Sequence, residues 1–196
     1  MIKIYYCNSA SRDLPTEISE YRRKKIFSAK QDETRLQMIN AAKVLKAGFA
    51  ELGICEKDVV YTFTENGKPY AENYPSIHFS LAHAQNTAIC AFYDKQIGID
   101  CEFNQREISA EILKRYFSKQ EYVAFADDPI LLWVTKEAMV KRSGTGLALG
   151  RGEREIPYFD TELSIDGLFF KRLCIEGYTA VICTEKKDTV TVKNIN

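Results

Sequence analysis

The stretch Ile97-Gly98-Ile99-Asp100-Cys101-Glu102 opens the second half of the chain and decides the fold prediction. Its apolar start predicts a short strand. Side chains two residues apart on a strand face the same side, so Asp100 and Glu102 point together. Carboxylates that close raise one another's pKa unless a cation lies between them. A hard ion such as Mg²⁺ would suit them, although a solvated strand end is the commoner meaning of so short a motif.

A helix is predicted further along, over residues 128–142, because Asp128-Pro129 is an N-cap followed by proline. Glu137 and Lys141 fall within about 40° of each other on this helix, in the same arc as Trp133. A buried carboxylate needs a partner, because leaving it unpaired is very costly. A plain Glu–Lys pair explains the spacing but not why both charges lie on the apolar side. The pattern leaves the structural and the functional interpretation open.

Strand and helix patterns alternate along the rest of the chain. Strands are predicted at 2–6, 59–63, 76–81, 87–93, 97–102, 156–159, 163–165, 168–175 and 178–183. Further helices are predicted at 33–52, at 109–116 and from Ser118 onward. The polar break Asp94-Lys95-Gln96 divides the chain into halves 1–94 and 95–196 of one compact unit. The predicted class is α+β, with helices over a small, mainly antiparallel sheet in each half.

The amino-acid composition excludes several classes of function for this protein. The chain has 196 residues with 27 basic and 27 acidic side chains, so no net charge argues for nucleic acid or an acidic membrane as a partner. Six scattered cysteines and two histidines do not have zinc-site spacing. No secretory signal and no run of about twenty apolar residues is evident, so a cytoplasmic protein is expected.

Three further segments could bind anions. Asn66-Gly67-Lys68-Pro69 is a turn signal, and on its own a turn with an incidental lysine is the commoner case. His83 lies between two alanines after an apolar strand, where a hydrogen-bonded structural histidine is more usual than a ligand. The basic run Arg22-Arg23-Lys24-Lys25 is either a solvated face or a collector of phosphates.

In their order along the chain, these segments resemble the 4′-phosphopantetheinyl transferases of the two-half, Sfp-like (surfactin-synthetase-activating) type. Gly98-Ile99-Asp100-Cys101-Glu102 resembles the family's G-[IV]-D-x-E motif. Trp133-Val134-Thr135-Lys136-Glu137-Ala138-Met139-Val140-Lys141 resembles its [FW]-[ST]-x-K-E-[AS]-x-x-K motif, and Gly144-Thr145-Gly146-Leu147 follows. Gly67-Lys68-Pro69 and Phe79-Ser80-Leu81-Ala82-His83-Ala84 resemble its G-K-P turn and F-N-x-S-H-S stretch. The match covers roughly residues 22–147.

The resemblance implies a pseudo-dimer of two similar α/β halves with coenzyme A bound in the cleft between them. A carrier-protein serine would attack the β-phosphorus, take the phosphopantetheine arm and release adenosine 3′,5′-bisphosphate. Asp100, Glu102 and Glu137 would hold Mg²⁺. Either Glu137 or Glu102, directly or through a water, would take the serine proton, and Lys141 would neutralise phosphate charge.

The resemblance also implies the contacts to coenzyme A. Lys68 and His83 match positions that contact it, Arg35 matches the contact to its 3′-phosphate, and Arg23 is a weaker candidate for the same phosphate. Ala82 and Ala84 depart from the family, which usually has serine there. These departures imply weaker nucleotide contacts rather than lost activity.

The implied partner is an acyl or peptidyl carrier protein, and a monomer is expected. Lys114-Arg115-Tyr116-Phe117 through Tyr122 is a candidate dock for an acidic carrier, although Ser118 and Glu121 also form a capping-box pattern and the aromatic rings would equally suit a core. Two alternatives stay open. One is a Mg²⁺-dependent nucleotide pyrophosphohydrolase, and the other is a catalytically silent module that binds coenzyme A.

Overall fold

The computed structural model describes residues 1–145 and 154–196, so the predicted continuation Gly146-Leu147 lies outside the described residues. The strands are β1 (Ile2–Cys7), β2 (Tyr61–Phe63), β3 (Pro69–Ala71), β4 (His78–Ala84), β5 (Thr87–Tyr93), β6 (Gly98–Phe103), β7 (Glu162–Ile165), β8 (Leu168–Ile175), β9 (Tyr178–Thr184) and β10 (Val190–Asn194). The helices are α1 (Glu20–Ser28), α2 (Asp32–Ala50), α3 (Ala110–Tyr116), α4 (Lys119–Ala124) and α5 (Pro129–Ser143).

Two four-stranded sheets form the centre of the molecule. The first has the order β10-β1-β5-β4 and the second the order β6-β9-β8-β7, while β2 and β3 make a separate two-stranded ribbon. Every neighbouring pair in the described sheets is antiparallel except β1 with β10. The predicted α+β class with mainly antiparallel sheets is confirmed.

The C-terminal strand β10 returns to the first sheet. It pairs in parallel with β1, so that Ile2 lies opposite Val190. The N-terminal ammonium also forms an ion pair with Asp188 at 3.0 Å. The last strand of the chain therefore packs with the sheet that the first residues begin, a pairing that the sequence patterns did not predict.

One long helix covers each sheet. Helix α2 packs on β1 and β5, and its buried face includes Leu45 and Phe49, with the Phe49 ring 5.0 Å from that of Phe92. Helix α5 packs on β6 and β9. It begins as predicted, because the Asp128 side chain accepts a hydrogen bond from the Leu131 amide and proline follows it. It ends at Gly144, whose φ of 74° is the left-handed conformation that glycine adopts readily.

One strand prediction is wrong, and one helix was not predicted. Residues 156–159 are not a strand, because Pro157 has no amide hydrogen to donate to a sheet; the segment is irregular, and its Ile156 amide donates instead to the Glu121 carboxylate at 2.8 Å. The basic run 22–25 lies in α1, a helix that the sequence patterns did not predict, with Arg22 buried and the other three residues exposed. That helix is capped by Ser19 and buries Ile26.

Gly98 permits the close contact between β6 and α5. A Cβ atom there would lie 1.9 Å from the Ala138 carbonyl oxygen and 2.4 Å from the Arg142 amide nitrogen. Both obstacles are helix backbone, so no side-chain rotation relieves them. The second sheet and α5 are therefore in close backbone contact at Gly98, the first residue of the acidic motif.

We expect Gly98→Ala to lower the free energy of unfolding by about 3 kcal/mol, the upper end for overpacking a core. Urea denaturation of the variant measures the loss. Gly53→Ala is the matched control, because a Cβ there meets nothing within 4 Å and only the φ of 75° opposes it, at about 1 kcal/mol. Equal losses in the two variants would contradict the close contact.

Candidate active site

Strand β6 and helix α5 bring the first charged pair of the site together. The Lys141 ammonium donates to Asp100 Oδ1 at 2.7 Å, and Asp100 is buried. Burial raises the pKa of Asp100 and the positive charge of Lys141 opposes that rise. Burial alone would lower the pKa of Lys141, but the carboxylate of Asp100 raises it above the usual range. The ammonium is therefore held in its charged form beside the acid.

Glu137 lies one turn before Lys141 on α5 and is half-buried. Burial and the negative charge of Asp100 raise its pKa, the positive charges of Lys141 and Arg106 oppose the rise, and the net result is a pKa of about 7. A carboxyl group with a pKa near neutrality can both accept and release a proton at physiological pH. Glu137 therefore has the electrostatic character of a general base.

Glu102 is bound by a cation that the sequence analysis missed. Its carboxylate forms an ion pair with Arg106, four residues further along, and also accepts from the Phe103 amide at 2.9 Å. The Arg106 guanidinium lies 5.5 Å from the ring of Trp133, on α5. The position of Arg106, a basic residue just after the acidic motif, was the signal that could have identified it as the partner of Glu102.

The three acids fit a hard cation by chemistry. In residues 1–145 and 154–196, no cluster of three histidine, cysteine or acidic side chains is close enough to hold a metal ion, since Asp100 pairs with Lys141 and Glu102 with Arg106. Burial is the main cause of the raised pKa values of Asp100 and Glu137, and the negative charge of Asp100 adds to the rise at Glu137. Carboxylate oxygens are the ligands that Mg²⁺ prefers.

A cavity of about 290 Å³ adjoins these residues. Its walls come from the β2–β3 turn, from β4 and from α5, so that elements on both sides of the predicted boundary contribute. The lining residues are Asn66, Gly67, Lys68, Pro69, Ser80, Leu81, Glu137, Val140, Lys141 and Gly144. The structure thus places Lys68, Glu137 and Lys141 around one opening.

The ammonium of Lys68 is bonded to protein oxygens. It donates to Arg142 O at 2.9 Å, to Ile97 O at 3.2 Å and to Gln96 Oε1 at 3.2 Å. Burial and, to a smaller extent, the nearby positive charge of Arg142 together lower its pKa to about 8. Lys68 was predicted to contact an anion, but in this structure its ammonium is hydrogen-bonded to these protein oxygens.

His83 lies on β4 with its side chain exposed. Partial desolvation by the surrounding protein lowers its pKa, and the positive charges of Lys141 and Lys25 lower it further. The ring is therefore neutral at physiological pH and can still donate one hydrogen bond to an anion. Lys25, on α1, was predicted only as part of the basic run.

Arg23 and Arg35 are exposed on α1 and α2, and the Arg35 guanidinium donates to Ala29 O at 3.0 Å. Among the described residues, no hydrogen bond or ion pair joins either arginine to the acids of β6 and α5. The site as described therefore centres on Asp100, Glu137 and Lys141, with the arginines outside it.

The candidate dock lies on α3 and α4. Arg115 packs over the Tyr116 ring at 5.7 Å, while the rings of Tyr116 and Phe117 contact Trp133 edge-on at 6.2 and 6.4 Å. Tyr122 is partly exposed. The Ser118 capping box is also present, so this surface has an internal structural role as well.

Comparisons with known proteins give the following relatives. The model of the 4′-phosphopantetheinyl transferase superfamily matches residues 96–183. The chain is 38% identical to 4′-phosphopantetheinyl transferase Sfp of Bacillus subtilis over 48% of this chain and 45% of that protein. It is 30% identical to psf-1 of Bacillus pumilus over 66% of this chain and 62% of that protein. It is 35% identical to HetI of Nostoc over 50% of this chain and 46% of that protein.

The chain thus covers 45% and 62% of the first two of these relatives, less than two thirds of either length. Over the residues that the structure describes, no helix is long and apolar enough to cross a membrane.

Proposed function

We propose that this chain, whose residues 96–183 match the model of the 4′-phosphopantetheinyl transferase superfamily, is a member of that superfamily. We propose further that it transfers the 4′-phosphopantetheine arm of coenzyme A to a serine of an apo acyl or peptidyl carrier protein. Adenosine 3′,5′-bisphosphate would be the second product. The observation that carries the proposal is the cavity between the β2–β3 turn, β4 and α5, which is lined by Glu137 and Lys141 next to the buried Asp100.

The proposed chemistry is a displacement at the β-phosphorus of coenzyme A. The serine oxygen forms a new bond to that phosphorus, and the bond from phosphorus to the bridging oxygen of the departing bisphosphate breaks. Glu137 or Glu102 takes the serine proton, directly or through a water. The raised pKa of Glu137 supports its role as the base. Lys141 neutralises charge on the phosphates and the departing oxygen, so positioning and charge account for most of the catalysis.

Asp100, Glu102 and Glu137 would hold Mg²⁺, which when bound would neutralise the diphosphate and orient it for in-line displacement. The donor set supports this assignment, because all three ligands are carboxylates. In the structure, Lys141 forms an ion pair with Asp100 and Arg106 forms one with Glu102.

Coenzyme A would bind across the cavity. Lys141 and the neutral ring of His83 face the diphosphate in this proposal, while Arg35 and Arg23 contact the 3′-phosphate. Lys68 lines the same cavity with its ammonium bonded to protein oxygens. The positive charge of Lys25 near His83 supports an anion beside the ring of His83.

We also propose that residues 1–94 and 95–196 are the halves of a pseudo-dimer. Each half runs strand, helix, antiparallel hairpin, as β1-α2-β4-β5 and as β6-α5-β8-β9. The corresponding strands have the same order, β1-β5-β4 and β6-β9-β8. The first half would contact the nucleotide, and the second would supply the metal site and the carrier dock around Arg115. A cytoplasmic monomer is the proposed state.

Quantifying adenosine 3′,5′-bisphosphate by chromatography tests the proposed reaction against its two alternatives. The protein is incubated with coenzyme A and Mg²⁺, with and without an apo carrier protein. We expect release only when the carrier is present. Release without a carrier would instead identify a nucleotide pyrophosphohydrolase, and binding of coenzyme A without release on several carriers would identify a silent module.

A further inference from the structure

Lys68 connects three segments that are far apart in the sequence. It lies in the turn between β2 and β3, and its ammonium reaches the last turn of α5 through Arg142 O. The other two acceptors, Gln96 Oε1 and Ile97 O, belong to the connection from β5 to β6. The ammonium is therefore located where the two sheets are joined.

The three hydrogen bonds use every donor that Lys68 has. A lysine ammonium carries three N–H groups and no acceptor. Their lengths of 2.9, 3.2 and 3.2 Å to Arg142 O, Ile97 O and Gln96 Oε1 lie within the normal range. No donor of Lys68 is then left for a phosphate oxygen, whereas the exposed ring of His83, on β4, can still donate.

The same turn caps the C-terminal end of α5. The last carbonyl groups of a helix have no partner inside the helix, and a positive charge beside them is favourable to the helix dipole. Lys68 satisfies Arg142 O, and the Asn66 side chain donates to Gly144 O at 3.0 Å. A Cβ on Gly144 would lie 3.5 Å from Lys68 Cδ, so the alkyl chain packs against the helix end as well.

Helix α5 also carries the reacting groups of the site. Glu137 and Lys141 lie within its last two turns and line one wall of the cavity, and the 66–69 turn lines another. The hydrogen bonds of Lys68 therefore join one wall to the other. Freeing the end of α5 would let Glu137 and Lys141 shift relative to a bound substrate.

We propose that Lys68 is a positioning residue rather than a ligand of coenzyme A phosphates. Through its three hydrogen bonds, its ammonium holds α5 to the first half of the molecule, and we call this set of bonds the clasp. This role rests on the proposed function, because what it positions is the pair Glu137 and Lys141. In this proposal, Lys141 neutralises the charge of the phosphates, and Lys68 fixes the width of the cavity.

Hydrogen exchange of the ligand-free protein tests the clasp without any activity assay. In Lys68→Met, amides of residues 141–144 should exchange at least about tenfold faster, because the last turn of α5 loses its cap. The Gly144 amide, which donates to Val140 O at 2.8 Å, is the most direct reporter. Lys95→Met is the matched control, since it removes a lysine next to Gln96 that forms an ion pair with Glu185 at the surface. Unchanged exchange in Lys68→Met would overturn the proposal.

Kinetics with coenzyme A and a carrier protein separate positioning from binding. A misplaced α5 should lower kcat by up to about 10²-fold while KM for coenzyme A changes less than about threefold. A loss confined to KM would overturn the proposal and make Lys68 a substrate contact. If wild-type protein transfers nothing, the proposed function fails, and hydrogen exchange still decides the clasp.

Two milder variants keep the test valid if Lys68→Met does not fold. Gln96→Ala removes one of the three acceptors, and Asn66→Ala removes the bond to Gly144 O. Each should raise exchange at the end of α5 by a smaller factor than the loss of Lys68, and the double variant by more than either. No rise in any of the three would contradict the clasp.

Discussion

Glu137→Gln is expected to lower kcat by about 10²–10⁴-fold with little change in the fold, because the amide keeps the shape of the side chain but cannot accept the serine proton. The raised pKa of Glu137 reflects burial and the charge of Asp100, both of which the variant leaves in place. Single-turnover transfer to an apo carrier protein measures the effect. The neutral amide is also a poorer ligand for Mg²⁺ than the carboxylate.

Glu176→Gln is the matched control for Glu137→Gln. Glu176 is exposed in the turn between β8 and β9, far along the chain from the cavity lining. The control should transfer at the wild-type rate, and both variants should unfold at nearly the wild-type urea concentration. A Glu137→Gln rate within about threefold of wild type would contradict the assigned role, since removing a general base costs about a hundredfold or more.

Lys136→Met is expected to lower the free energy of unfolding by about 3–5 kcal/mol, because it leaves a buried carboxylate without its cation. The Lys136 ammonium lies 2.6 Å from Glu121 Oε1, and the exposed fractions of the two side chains are 4% and 2%. It also donates to Arg154 O at 2.5 Å. Urea denaturation followed by circular dichroism measures the loss.

Two comparisons make the Lys136 prediction specific to the buried ion pair. Lys24→Met removes an exposed lysine that pairs with Glu20, and should change the stability by less than about 1 kcal/mol. The double variant Lys136→Met with Glu121→Gln carries no buried charge at this place. It should therefore be more stable than Lys136→Met alone. A double variant less stable than the single one would contradict the explanation.

The parts of the fold that local patterns encode were predictable from the sequence. Helix α5 has its cap at Asp128, a proline at its first position and a glycine after its end, and each feature acts within a few residues. The acidic motif likewise lies in a strand, β6, because the run Ile97-Gly98-Ile99 before the two acids is apolar. Helix α1 was missed because it buries only Arg22 and Ile26 and so lacks an apolar stripe.

The parts of the fold and of the site that could not be predicted depend on contacts between residues far apart in the sequence. Strand β10 joins β1 across almost the whole chain, and no local pattern specifies which sheet a terminal strand will enter. The buried pair of Lys136 with Glu121 joins two helices, so its spacing of 15 residues carries no helical signal. The sequence likewise indicated that Lys68 belongs to the site, but the direction of its ammonium depends on carbonyl groups that only folding brings together.

The most direct test of the proposed transfer is the intact mass of an apo carrier protein after incubation with this protein, coenzyme A and Mg²⁺. The account predicts that the carrier gains one phosphopantetheine group, and that the gain disappears with EDTA and with a carrier whose acceptor serine is replaced by alanine. A carrier that keeps its apo mass, across several carrier types and with coenzyme A present in excess, would contradict the account.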